Sequence, residues 1–156
     1  MIRLQNILVA TDFGPAAGAA LTYGRALART FGAQLHLLHV TENSFLRPSP
    51  ADPHAHKAAV LRTLHEQVTP DDAALTPRLA LDTSDNPAEA ITEYAKQANV
   101  DLIVMGTNGR GAVAQVLVGS VAERVVRTAP CPVLTVKHPE HEFVVPDVAP
   151  QSTAQA

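Results

Sequence analysis

Short, unbroken apolar runs recur along this chain, at residues 6–10 (NILVA), 33–40 (AQLHLLHV), 77–82 (PRLALD), 101–105 (DLIVM) and 131–136 (CPVLTV). A run of that length without polar alternation reads as a strand covered on both faces. The stretches between the runs are long enough to hold helices. Pro15 suits a first helical turn and Gly32 a C-terminal stop, with Ala17, Ala20, Leu21, Ala28 and Phe31 forming an apolar stripe between them. After a proline-rich loop at 41–53, a second helix is expected from about residue 54 to residue 67. Asn86-Pro87-Ala88-Glu89 opens a third, with Asn86 as cap, Pro87 in the first turn and Glu89 reaching back, and it continues to about residue 98. A fourth covers 120–128. Strands alternating with helices predict an α/β fold, a mostly parallel sheet with helices on both faces and right-handed crossovers.

Composition narrows the function classes. A chain of 156 residues suits one domain, expected over residues 1–138, with the Pro-, Ala- and Gln-rich residues 139–156 as a flexible tail. Aromatic residues make up 4% and Trp is absent, so the core falls to Ala, Val and Leu. A net charge of −3 argues against a nucleic-acid binder working through a broad basic field. No apolar stretch approaches a membrane span, and the first residues reach polar Thr11 and Asp12 too soon for a signal peptide. Cys131 is the single cysteine and reads as a small core residue. The expectation is a cytoplasmic protein.

Candidate chemistry concentrates in MGTNGRGAVAQVLVGS, residues 105–120, directly after an apolar run. The segment is neither G-x-x-x-x-G-K-[ST] nor G-x-G-x-x-G, and no lysine lies between Lys96 and Lys137. Gly106 and Gly109 sit at a strand end, where open α/β sheets bind ligands. Gly119 and Ser120 open a helix, where unpaired N–H groups and the dipole favour an anion. Both ends of the segment are placed to face one phosphate chain. The alternative is a ligand-free loop whose glycines serve awkward dihedrals.

Ser120-Val121-Ala122-Glu123 has capping-box spacing, which by itself accounts for Ser120 but not for Gly119, where a missing side chain clears space for a ligand. Arg110 is either a phosphate partner or a solvated loop cation. Asp12 follows the first strand, on the edge shared with Gly106; it binds a ribose hydroxyl or Mg²⁺ there, or caps the helix after Gly14. His36 and His39 lie three apart on a strand and point to opposite faces, so they do not chelate together. No Ser-His-Asp arrangement or nucleophile elbow stands out.

These stretches resemble the universal stress protein family, through ILVATDFG (7–14), LHLLHVTE (35–42), NPAEAITEYAKQANVDLIVMGTNGRG (86–111) and VGSVAERVVRTAPCPVLTVK (118–137). The ATP-binding branch of that family is marked by G-x2-G-x9-G-[ST], and Gly106, Gly109, Gly119 and Ser120 satisfy it. The resemblance implies a Rossmann-like, adenine nucleotide alpha hydrolase-like open sheet of strand order 3-2-1-4-5. It implies ATP, or ADP or AMP, with Mg²⁺. Thr11 and Asp12 would approach ribose, phosphate or metal, and Val40 would lie beside adenine. Gly106, Gly109, Arg110, Gly119, Ser120 and Val121 would surround the phosphates. It also implies a homodimer joined through the last strand, residues 131–137. Asn108 stands where the family often has His, and Gly111 where it often has Ser or Thr, which removes a hydroxyl from the phosphate side. The expected function is that of a nucleotide-dependent stress-response regulator, against a slow ATPase or phosphotransferase using the same site, or a ligand-free dimeric scaffold. The loop offers no obvious general base for water, so any hydrolysis is expected to be slow.

Overall fold

A computed structural model describes residues 1–43, 49–107, 118–139 and 141–144. The strands are β1 (Asn6–Ala10), β2 (Gln34–Glu42), β3 (Arg78–Ser84), β4 (Leu102–Gly106) and β5 (Val133–Val136). The helices are α1 (Pro15–Phe31), α2 (Pro53–Glu66), α3 (Pro87–Gln97) and α4 (Ser120–Thr128). All strand pairings are parallel and the order is β3-β2-β1-β4-β5. The order implied by the resemblance is therefore the observed one.

Strand alternation divides the core into two layers. Ile7, Val9, Leu35 and Leu37 face α1 and Leu64 of α2. Leu8, Ala10, Leu38, Ile103 and Met105 face Ala88, Ile91 and Ala95 of α3 and Ala122 and Val125 of α4. His36 takes the second face, bonded to Tyr94 of α3, while His39 takes the first, stacked on Phe13. The two imidazoles point apart, as their spacing requires.

α1 begins with Pro15 in its first turn and ends at Gly32 in the left-handed region (φ 64°). It lies unusually close to the sheet. A Cβ on Gly24 would collide with Val9 Cγ2. α3 is capped by Asn86, whose Oδ1 accepts from the Glu89 N–H at 3.3 Å; Glu89 reaches back to the Asn86 side-chain amide at 3.1 Å.

The structure departs from the sequence-based expectation where no apolar period marks the chain. β2 and β3 run two residues beyond their apolar runs, pairing Thr41 with Thr83 and Glu42 with Ser84. Backbone pairing there continues without a hydrophobic signal. Between α2 and β3, residues Pro70–Leu75 form a 3-10 turn that no apolar periodicity announces. Its Asp72 is fully buried and accepts from Arg25 Nε at 3.0 Å, Arg29 at 3.1 Å and the Thr69 N–H at 2.9 Å. Arg25 also donates to the Gln67 carbonyl, so the turn is pinned to α1 by charge-assisted bonds. Within the stretch expected as a tail, the Phe143 N–H donates to the Tyr23 hydroxyl at 2.9 Å and the two rings meet edge-on. Residues 145–156 lie outside the described residues. Among those described, no helix is long and apolar enough to cross a membrane.

Candidate functional site at the C-terminal edge of the sheet

Successive connections from β1 run to opposite sides of the sheet, first to β2 and later, through β4, to β5. The gap between the carboxyl ends of β1 and β4 is thus the switch point where open α/β sheets receive ligands.

The β1 side is a tightly self-bonded turn. The Thr11 N–H donates to the Leu38 carbonyl at 2.9 Å, which buries Thr11. Thr11 Oγ1 accepts from the Phe13 N–H at 3.0 Å, and Asp12 Oδ1 accepts from the Gly14 N–H at 2.8 Å. These local bonds hold Phe13 at φ 64°, a conformation rarely taken by a bulky residue. The Phe13 ring stacks on His39 with centroids 4.4 Å apart. His39 Nδ1 lies 2.7 Å from the Thr11 carbonyl oxygen, which only accepts, so this nitrogen carries the proton. The cap of α1 is Gly14, without a side-chain bond. Asp12 Oδ1, by accepting from the amide of that cap residue, closes the turn just ahead of α1.

On the β4 side, Gly106 ends the strand. A Cβ there would stand 2.7 Å from Ala16 Cβ and 2.9 Å from the Ala16 carbonyl carbon. Its missing side chain lets the first turn of α1 touch the sheet. Neither Gly106 nor Gly119 has a positive φ, the sole such glycine among the described residues being Gly32. Awkward dihedrals therefore do not explain these two glycines.

The start of α4 overturns the capping-box expectation. The cap is Gly119 (φ −67°, ψ 155°), Ser120 is the first helical residue, and no side chain caps the end. Glu123 does not reach back; its Oε1 accepts from Arg127 at 2.7 Å, one turn onward. Moving the cap by one residue dismantles the box, because Ser120 and Glu123 no longer hold the cap and third positions. Among the described residues, the first-turn N–H groups of α4 have no side-chain acceptor, and Gly119 donates its own N–H to the Thr107 carbonyl at the end of β4. The helix start is thereby fastened beside the strand end.

Val40 and Val121 are half-buried against the same apolar layer, one from β2 and one from α4. Next to them an open groove of about 540 Å³ runs between the starts of α3 and α4, lined by Glu42, Asp85, Asn86, Ser120, Val121 and Arg124. That volume suits a small organic ligand. Of the residues expected at the site, Ser120 and Val121 line this groove, whereas Thr11, Asp12 and Gly106 belong to the neighbouring β1–β4 gap. Gly109, Arg110, Asn108 and Gly111 lie outside the described residues. No cluster of three or more His, Cys, Asp or Glu able to hold a metal occurs among the described residues. Thr107 is the site residue that sequence reasoning passed over: it is buried, and its hydroxyl has no hydrogen-bond partner. The available signal was strand alternation, which puts a polar residue inward two positions after Met105.

A five-stranded parallel sheet of this order, with a strand-end crevice beside the start of α4, defines an open, Rossmann-like α/β fold. A sequence profile described as the universal stress protein family matches residues 3–137. A universal stress protein of Thermus aquaticus is 39% identical over 140 residues, covering 85% of this chain and 98% of that protein. One from Methanocaldococcus jannaschii is 54% identical over 56 residues, which is 36% of this chain and 33% of that protein. The solved structure of the universal stress protein UspA from Lactobacillus plantarum superposes with a TM-score of 0.71 at 31% identity, over 87% of this chain and 99% of that one. Another universal stress protein, solved in complex with cAMP, superposes at 0.63 with 25% identity, over 86% and 98%. The chain belongs to the universal stress protein family.

Proposed function

We propose that this protein binds an adenine nucleotide, ATP with Mg²⁺, at the β1–β4 gap, and that it acts as a homodimeric regulator whose signal is occupancy of that site. The observation that carries this reading is the uncapped start of α4, tied through Gly119 to the end of β4. Unpaired helix N–H groups next to a strand end are a ready phosphate site. Gly106, Gly109, Gly119 and Ser120 keep the glycine spacing of the ATP-binding branch, and a relative of the same fold was solved with cAMP. Val40 and Val121 offer half-buried apolar surface for a base. Gly119, Ser120 and Val121, with Gly109 and Arg110, would hold the phosphates. Asp12 would share Mg²⁺ with phosphate oxygens, which is how Mg²⁺ is commonly held when one carboxylate is present. ATP itself supplies a transferable phosphoryl group. The sequence offers no obvious general base for water at this site, so binding without rapid turnover is expected.

One observation favours the ligand-free scaffold: the glycine at 106 is accounted for by the approach of Ala16 alone. The test is thermal unfolding and calorimetric titration of the full chain with Mg-ATP, ADP, AMP and cAMP. At a hundredfold excess over Kd, native-state binding adds about 2.7 kcal/mol. No shift and no heat with any of them at millimolar concentration would favour the scaffold.

A further inference from the structure

Thr107 has every backbone group committed. Its N–H donates to the Val136 carbonyl at 3.0 Å, and its carbonyl accepts from Gly119 at the start of α4. The residue is 6% exposed, and its Oγ1 is the one buried side-chain polar atom without a hydrogen-bond partner among the described residues. Alternation along β4 sets it on the face of Ile103 and Met105, the face that α3 and α4 cover. Its carbonyl bond to Gly119 holds it against the first turn of α4. An unpartnered buried hydroxyl weakens a fold, while a valine of the same shape would not. Nothing in the packing calls for the oxygen.

We infer that Thr107 is an affinity-determining residue of the nucleotide site, its hydroxyl donating to an anionic phosphate oxygen held at the start of α4. This rests on the reading under Proposed function. The helix start supplies N–H donors and a favourable dipole; its cap is glycine, and Glu123 is turned to Arg127. A side-chain hydroxyl next to that helix start, on the residue whose carbonyl holds Gly119, would add a charge-assisted bond that exists only with ligand present.

The experiment compares the wild type with Thr107→Val and Thr107→Ser, as full chains, by calorimetric titration with Mg-ATP and by thermal unfolding without nucleotide. Thr107→Val is expected to weaken binding about tenfold or more. It should also leave the nucleotide-free melting temperature unchanged or raised. Thr107→Ser keeps the donor and should bind within about threefold of the wild type. Equal affinity of the wild type and Thr107→Val would overturn the inference while leaving the nucleotide site intact. A lower nucleotide-free melting temperature for Thr107→Val would also overturn it, by making the hydroxyl a structural group. A wild type that binds no nucleotide would sink the site reading and this inference together, a result recognisable before any variant is measured.

Discussion

Asp72 is the most exacting place to test the physical reasoning, because its carboxylate is fully buried and surrounded by donors. Arg25, Arg29 and both the N–H and hydroxyl of Thr69 converge on it. Burial alone pushes the carboxyl pKa up, but the bonds from Arg25 and Thr69 outweigh it and hold the group below its ordinary value of 3.8. Asp72→Asn keeps the shape, removes the charge and turns an amide NH₂ towards existing donors. Breaking one partner of a buried ion pair costs about 3–5 kcal/mol. Arg29 is half exposed and adds little, so the lower part of that range is expected. For a chain of this size, each kcal/mol moves the midpoint by about 2–4 °C, so the melting temperature should fall by roughly 6–12 °C. The pH dependence follows from the depressed pKa. Above about pH 5 the carboxylate is charged in both states and its contribution is fully present. As pH falls through the folded-state value, the native state must take up a proton and that contribution disappears. Urea unfolding at pH 7 and at a series of values down to pH 3 measures both effects. A loss under about 1 kcal/mol at pH 7, or a wild-type advantage that stays constant to pH 3, would refute the account.

Gly18→Ala, with nothing within 4 Å of the new methyl, should stabilise the protein by about 0.5–1 kcal/mol in urea unfolding. Gly24→Ala forces a methyl into Val9 and should destabilise it by about 1–3 kcal/mol in the same assay. His36 is buried between Tyr94 and Asn6, and burial, aided by Arg78, keeps its pKa below 6.5. Its neutral form therefore contributes stability above pH 6.5 that declines as pH drops towards the folded-state pKa, and His36→Gln should flatten the stability profile in that window. In β5, the carbonyls of Pro132 and Val136 turn to β4, so Val133 and Thr135 present their backbone groups outward. Thr135→Pro removes an outward donor without touching the β4 ladder; under the proposed dimer it should give a folded monomer in light scattering, and an unchanged dimer would rule out pairing along β5.

Much of the architecture was legible because burial on both faces leaves an unmistakable mark. NILVA and DLIVM became adjacent central strands, and Pro15 and Gly32 bracketed α1 as their backbone preferences dictate. What escaped was structure without an apolar period. The Pro70–Leu75 turn rests on Thr69 and Asp72 at capping-box spacing, a signal present in the sequence but easily lost among polar residues. The capping box expected at Ser120 failed for the converse reason. Its spacing is sound, but the Gly119–Thr107 bond starts the helix one residue away from the required register. Tertiary contact overrode a local motif.

The same contrast bears on how the glycine spacing is to be understood. Gly106 and Gly119 stand at the two ends of one motif, yet different physics acts at each. At Gly106 a methyl would strike Ala16, so that glycine would be required in an empty protein. Gly119 has dihedrals open to any residue, and its missing side chain leaves α4 without a cap bond that Ser, Thr, Asp or Asn would have supplied. Such a cap bond is worth about 1 kcal/mol. The half of the motif that packing explains thus says nothing about ligands. The Gly119 end lies beside the Thr107 hydroxyl, which has no partner among the described residues, and there the case for a bound anion rests.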